Sequence, residues 1–378
     1  LGASCAIASK VVDNLPTILV DDTILAIQKL ATYVRDKSNA FVIGITGSAG
    51  KTSTKDMIAS VLSEKYKVLK TPGNLNGQIG LPLNILTYED EPVWVLEMGM
   101  NNFGELDKLS RIAKPNAAVI TNIGTAHIGI LGSRENILKA KLEIVNGMNE
   151  DGTLILNGDN DLLKTVKDKR NIITFGMDSN NNLQASNVLV NKDSTTFSCS
   201  NITYNVPVPG EVFVYNALAS IAAGHLLDLS NEEIKRGIET FKMSGNRMNL
   251  TKTKYYTILN DTYNANPDSV KSVLKTISSY QERKVAILGD MLELGTYEKE
   301  LHESVGEYLN GKIDVLITIG SLSKHINDKF NGEKYHFDNI EEVEKQITAI
   351  LKPNDYVVLK ASHSMRLDEL AHYLTSIK

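Results

Sequence analysis

Cysteine is nearly missing from this sequence: Cys5 and Cys199 are the only two among 378 residues, and neither belongs to a CxxC or Cys/His cluster. That excludes a disulfide framework and a structural zinc, and makes a reducing cytoplasm the expected compartment. Long apolar runs are missing too. None approaches the roughly 20 residues that span a bilayer, and no basic-then-apolar leader opens the chain, so no membrane insertion is expected. Positive charge is not in excess: 40 Lys and Arg stand against 45 Asp and Glu, a formal net charge of -5, which provides no basic field for nucleic acid or anionic lipid. Any phosphate chemistry must therefore be local. No solenoid-length repeat and no low-complexity tract appears.

What is present is a soluble-type composition, 42% hydrophobic and 22% charged, on a chain too long for one ordinary core. Two or three domains are expected. From residue 41, short apolar runs alternate with helical patterns: FVIGI (41–45), VWVLEM (93–98), AAVIT (117–121), TLIL (153–156) and NIITF (171–175). This is the mark of an α/β unit built on a mostly parallel sheet. Residues 178–209 break the rhythm and read as an antiparallel flap or edge. Helices are expected at 213–227 and near 231–241, followed by the irregular KMSGNRMN and a boundary near residue 246. Beyond it five strands and five helices alternate strictly, which predicts a Rossmann-like, doubly wound domain with ligands at the carboxyl ends of its strands.

Directly after FVIGI comes TGSAGKTST (46–54). The pattern G-x-x-x-x-G-K-[ST] would place glycine at position 45, where this chain has Ile45, yet strand, glycine-containing loop and helix follow in the order a phosphate loop needs. Gly47 and Gly50 allow the tight turn, and Met57, Ile58, Val61 and Leu62 form the apolar face of the following helix. Free N–H groups at the helix start would hold phosphate, with Lys51 reaching the outer phosphates and the Thr52 hydroxyl available to Mg²⁺. Glu97 ends an apolar strand in a carboxylate, and TNIGTAH places Asn122 and His127 beyond the next strand; the two runs put all three residues at the rim where such sheets bind ligands. A salt-bridged strand end and a structural histidine are the bland alternatives, weakened because Thr52, Glu97 and His127 share that rim.

Lys141 is the least ordinary residue by pattern. On a helical wheel, residues 134–149 gather Ile137, Leu138, Leu142, Ile144, Val145 and Met148 on one side, with Lys141 in the middle of it. Burial favours a neutral amine, which reacts with carbon dioxide to give a carbamate; equally, a lysine snorkels its charge past an apolar stripe. The pattern leaves both readings standing.

Taken together, TGSAGKTSTK, TPGNLNGQIGLPL, VLEMGMNNFGEL, ITNIGTAHIGILGS with AKLEI, NDTYNANPDSV, AILGDMLELG and LKASHSMRLDEL resemble the Mur ligases, in order, from about residue 15 to the end. NDTYNANPDS and GDMLELG resemble the members that add a terminal dipeptide. The resemblance implies an ADP-forming amide ligase using ATP and Mg²⁺, acting on UDP-N-acetylmuramoyl tripeptide and D-alanyl-D-alanine as a monomer. Residue by residue, it implies that Thr46, Gly47, Ser48, Ala49, Gly50, Lys51, Thr52 and Ser53 hold the ATP phosphates. Asn122 would stand on the phosphate side. Thr52, Glu97, His127 and a carbamylated Lys141 would surround the metal. Arg247, Asn260, Asn264 and Asp290 would complete the nucleotide site, Asn74 and Asn76 would meet the muramoyl peptide, and Ser362 and Arg366 would face the acceptor.

The chain departs from the family pattern in places. Where K-G-S-R-S-M-R is usual it has Lys360, Ala361, Ser362, His363, Ser364, Met365 and Arg366, and Gly77 replaces a common second asparagine. The expected layout is a tail of the UDP-substrate domain with linker in residues 1–30, a central P-loop domain in 31–245, and a C-terminal ligase domain in 246–378. The start at Leu1 without Met fits a fragment whose uridine-nucleotide affinity would be poor. Other readings consistent with the residues are a related amide ligase with a different acceptor, of another Mur step or folylpolyglutamate type, a P-loop NTPase that makes no bond, and a non-catalytic nucleotide-binding remnant.

Overall fold

Short runs of Val, Ile and Leu without polar alternation read as strands covered on both faces, and that is how they pack. The computed structural model describes residues 2–245 and 247–377. Its first large sheet has seven strands, all paired in parallel, in the order Val68–Lys70, Val93–Glu97, Phe41–Thr46, Ala117–Ile120, Thr153–Asn157, Asn171–Gly176, Leu183–Gln184. One face is covered by the helices Lys51–Leu62 and Val212–Leu226, packed with Ile43, Ile45, Val95 and Val119. The other face carries Trp94, Leu96 and Ile120 against Ala31, Leu81, Leu106 and Leu109. Trp94, fully buried, donates its indole N–H to the Glu91 carbonyl at 3.1 Å and lies 5.0 Å from the Tyr88 ring.

The flap expected at 178–209 is a three-stranded antiparallel sheet, Ser186–Val190, Thr195–Cys199 and Ile202–Val206, which sets Phe197, Tyr204 and Val206 against the core around the Val212–Leu226 helix. The helix expected over 134–149 is shorter: α-helix spans Arg134–Leu142, and the chain tightens into a 3₁₀ turn over Glu143–Gly147. There Gly147 presses on Ser110, whose carbonyl oxygen would lie 2.0 Å from any Cβ at 147. At the other end, the expected boundary at residue 30 falls inside the helix Thr23–Lys37. Asp22 caps its N-terminus, and its Arg35 guanidinium donates to the carbonyls of Ala40, Ala113 and Lys114. The whole helix thus packs with the seven-stranded sheet.

The expected boundary residue 246 lies outside the described residues. The sheet that follows has six strands, in the order Asn249–Lys252, Thr257–Asn260, Tyr356–Lys360, Lys284–Gly289, Val315–Ile319, Glu333–Phe337. Five are parallel, as the alternation predicts, with helices on both faces. The sixth, Asn249–Lys252, is an unanticipated antiparallel edge strand that starts on the last residue of the irregular KMSGNRMN; its NLTK sequence has no strand period, and its pairing with Thr257–Asn260 is a tertiary choice. No helix among the described residues is long and apolar enough to cross a membrane.

Candidate active site

The strand Phe41–Thr46 delivers the chain into a loop that only glycine can form. Gly47 has φ +152, and a Cβ there would sit 1.9 Å from the Thr121 hydroxyl. Gly50, at φ +79, begins the helix Lys51–Leu62 without a side-chain cap, so its first-turn amides point outward for an anion. Asn122 braces the loop from the neighbouring strand end: its Oδ1 accepts from the Ala49 N–H at 2.8 Å and its carbonyl from the Ser48 N–H at 3.0 Å. The Lys51 ammonium arches over the loop and donates to the Gly47 carbonyl at 2.8 Å. Burial pushes this ammonium below the usual lysine range, against the pull of Glu97 and with the push of Arg247.

These groups line a cleft of about 1150 Å³ between the two large sheets. From the central sheet come residues Ser48–Ser53, Asn74, Asn76, Glu97, Asn122 and His127; from the other side come Arg247 and Asn264. Arg247 lies over the Tyr263 ring, 3.4 Å from its centroid, and donates to the Thr52 hydroxyl at 3.1 Å. Glu97 is buried. Its Oε1 accepts from the Asn76 amide at 2.8 Å, while its Oε2 has no hydrogen-bond partner. Buried Ser48 Oγ is equally unpartnered. A buried carboxylate oxygen left open, lining the same cleft as the Thr52 hydroxyl and the His127 imidazole, is a donor set suited to a hard divalent cation, so these residues fit Mg²⁺. Glu89, Asp90 and Glu91, the one tight metal-capable trio among the described residues, lie at the far end of the Glu97 strand and hold Lys67 instead.

Lys141 is 1% exposed, and among the described residues its Nζ has neither hydrogen bond nor ion pair. Burial first, and the Lys51 charge second, drive its ammonium well below the ordinary value. Snorkelling is thereby ruled out: the amine is enclosed beside the phosphate loop.

Seven residues expected at the site do not line the cleft: Thr46, Gly47 and Lys141 on the phosphate-loop side, and Asn260, Asp290, Ser362 and Arg366 on the other. Asn260 is turned inward, its Oδ1 accepting from the Thr262 N–H and hydroxyl at 3.2 and 2.7 Å. Asp290 accepts from the Ser323 N–H at 2.6 Å, and the Ser362 hydroxyl from the Leu292 N–H at 2.9 Å. Arg366 is exposed and paired with Glu369. The cleft instead holds residues that sequence reasoning passed over. Asp261, next to Asn260 on the alternate side of the chain, pairs with the buried Lys360 ammonium. The Asp268 carboxylate crosses to the Thr125 N–H and hydroxyl at 2.9 and 3.1 Å. Asn216, a buried amide in the largely apolar helix Val212–Leu226, accepts from the Thr54 hydroxyl at 3.0 Å and leaves its Nδ2 free. That misplaced amide was a readable signal.

The Mur ligase middle domain matches residues 45–224, and the Mur ligase glutamate ligase domain matches residues 246–363. A Bacillus subtilis UDP-N-acetylmuramoyl-tripeptide–D-alanyl-D-alanine ligase is 42% identical over 373 residues, covering 95% of this chain and 81% of that one. The chain belongs to the Mur ligase family. Among solved structures, MurF from Acinetobacter baumannii superposes with a TM-score of 0.92 at 29% identity, covering 98% of this chain and 84% of that one. MurF from Thermotoga maritima, solved in complex with ADP, gives 0.89 at 30% identity, covering 98% and 88%. The Mur ligase middle-domain match takes in the phosphate loop, Glu97, His127 and Lys141, and the glutamate ligase match takes in Arg247 and Asp261.

Proposed function

We propose that this chain is an ATP-dependent, ADP-forming ligase that joins D-alanyl-D-alanine to UDP-N-acetylmuramoyl tripeptide in the cytoplasm, during peptidoglycan precursor synthesis. The observation that carries this reading is the single cleft in which a phosphate loop faces Arg247 and the Asp261–Lys360 pair from a second sheet. The names of the relatives support the choice of substrates.

The tripeptide carboxylate attacks the γ-phosphorus of ATP, the bond to the β-phosphate oxygen breaks, and ADP leaves. The amine of D-alanyl-D-alanine then attacks the acyl phosphate carbon, loses a proton, and expels inorganic phosphate. No nucleophilic side chain is required. The loop amides and Lys51 hold the β- and γ-phosphates and offset the charge that builds between two anions. Arg247, rigid against Tyr263, reaches the same phosphates from the other wall. Asn74 and Asn76 meet the muramoyl peptide. Thr52, Glu97 and His127 would hold Mg²⁺, which would supply Lewis-acid charge neutralisation. Lys141, enclosed and driven towards its neutral form, suits addition of carbon dioxide to give a carbamate, an anion that would face the metal.

Phosphate release measured with ATP plus each substrate alone and both together tests this. Release that needs both is expected. ATP turnover indifferent to the muramoyl tripeptide would overturn the ligase reading, and equal turnover with diaminopimelate, lysine or glutamate would overturn the choice of acceptor.

A further inference from the structure

The GDMLELG stretch ends the strand Lys284–Gly289 and continues toward the first large sheet, where it meets His127. Glu293 Oε2 lies 2.9 Å from His127 Nδ1. Both residues are in the left-handed region, His127 at φ 65 and Glu293 at φ 66, a conformation that side chains other than glycine hold only when their surroundings impose it. Beside them the two backbones touch directly: a Cβ on Gly129 would lie 2.5 Å from the Gly295 nitrogen, and one on Gly295 would lie 2.7 Å from the Gly129 Cα. Just beyond, the Tyr297 hydroxyl donates to the Gly132 carbonyl at 3.0 Å. Ile128 and Leu131 from one side and Met291 and Leu294 from the other belong to the same buried apolar cluster.

The stretch is also braced from behind. The fully buried His302 accepts from the Met291 N–H at 3.0 Å through Nε2, its Nδ1 held 2.7 Å from the Glu298 carbonyl. Ser362 accepts from the Leu292 N–H at 2.9 Å.

We infer that residues 291–297 form a clasp that docks on the one-turn helix Ile128–Leu131 and its flanking His127 and Gly132, and that Glu293 is a positioning residue that faces the His127 imidazole from the opposite side of the cleft. The carboxylate faces Nδ1 as a close ion-pair partner, out of line for a hydrogen bond, and leaves Nε2 as the nitrogen to face a cation; a carboxylate behind a ligating imidazole is an arrangement known to sharpen metal affinity. The metal ligand is therefore in order only when the two halves of the cleft are together. This rests on the reading of His127 as a metal ligand, and the two can fail separately.

The test uses Mn²⁺ as the probe, titrated by electron paramagnetic resonance in the presence of ADP, together with small-angle X-ray scattering of the same samples. Glu293→Ala removes the carboxylate; Gly129→Ala leaves every charge in place but pushes the clasp away. Both should weaken Mn²⁺ binding about 10- to 100-fold, and the double variant should be no weaker than the worse single one, because both break one contact. Gly129→Ala should also enlarge the radius of gyration. Glu293→Gln, which keeps an acceptor with little steric change, guards against loss from misfolding and should retain part of the affinity. Normal Mn²⁺ affinity in Gly129→Ala overturns the clasp. Wild-type protein that binds no Mn²⁺ refutes the metal reading; scattering then decides the clasp alone, and an unchanged radius in Gly129→Ala overturns it.

Discussion

Replacing Lys141 with methionine should move stability and activity in opposite directions. Methionine has nearly the lysine's length and volume but no charge, and the site is closed to water. Fully burying such a side chain is worth about 1.5–3 kcal/mol. The lysine stem already supplies part of that, so the variant should gain about 1–2 kcal/mol by losing the enclosed amine, or about 2–8 °C in melting temperature for a unit of this size. The pH dependence follows from the direction of the shift. Lys141 binds its proton less tightly folded than unfolded, so the unfolded chain holds more protons between the folded value and the ordinary 10.5, and wild-type stability climbs as pH rises through that window. The advantage of Lys141→Met should therefore shrink from neutral pH towards pH ~10. Ligation should meanwhile fall at least about a hundred-fold, the usual scale for removing one electrostatic stabiliser. Scanning calorimetry in carbon-dioxide-free, chelator-containing buffer gives the first quantity, and phosphate release with both substrates gives the second. A variant that melts below wild type at neutral pH, or that ligates normally, would refute the reasoning.

Arg247→Ala loses a cation–π stack of about 0.5–2 kcal/mol and its hydrogen bond to Thr52, so calorimetric ATP affinity should drop about ten- to a hundred-fold; Arg247→Lys, lacking the planar fork, should recover little of it. His302 must stay neutral to accept the Met291 N–H, and burial holds its imidazolium below the usual 6.5. Its contribution is present above that value and lost as pH falls through the folded one, so urea midpoints should fall more between pH ~7.5 and ~5 for wild type than for His302→Gln, whose amide oxygen accepts at any pH. In Lys141→Ala, acetate should restore part of the phosphate release by standing in for a carbamate; no response at any acetate concentration would count against that anion.

Much of the central unit was legible because parallel strands buried on both faces leave unbroken apolar runs, and because Gly47 has no room for a Cβ and Gly50 takes a left-handed φ that favours glycine. Lys141 was found by its place on an apolar face, although the helix carrying it stops at Leu142. The second wall was harder to read. Asn260 and Asp261 are adjacent, and which one faces the cleft depends on strand register, a property of the Thr257–Asn260 pairing and not of the sequence around it. Lys360 shows no pattern of its own, since its partner Asp261 lies 99 residues away. Ser362, expected to face the acceptor, uses its hydroxyl to accept from the Leu292 N–H in the GDMLELG turn, a contact that no local pattern announces.

The chain holds a single tryptophan, and Trp94 sits in the strand that ends at Glu97, sealed from water. Its fluorescence is therefore a private signal of the seven-stranded sheet, silent about the six-stranded one, whereas far-ultraviolet circular dichroism averages over both. Any lag between the two signals during unfolding measures how strongly the linker and the cleft contacts make the two sheets come apart as one.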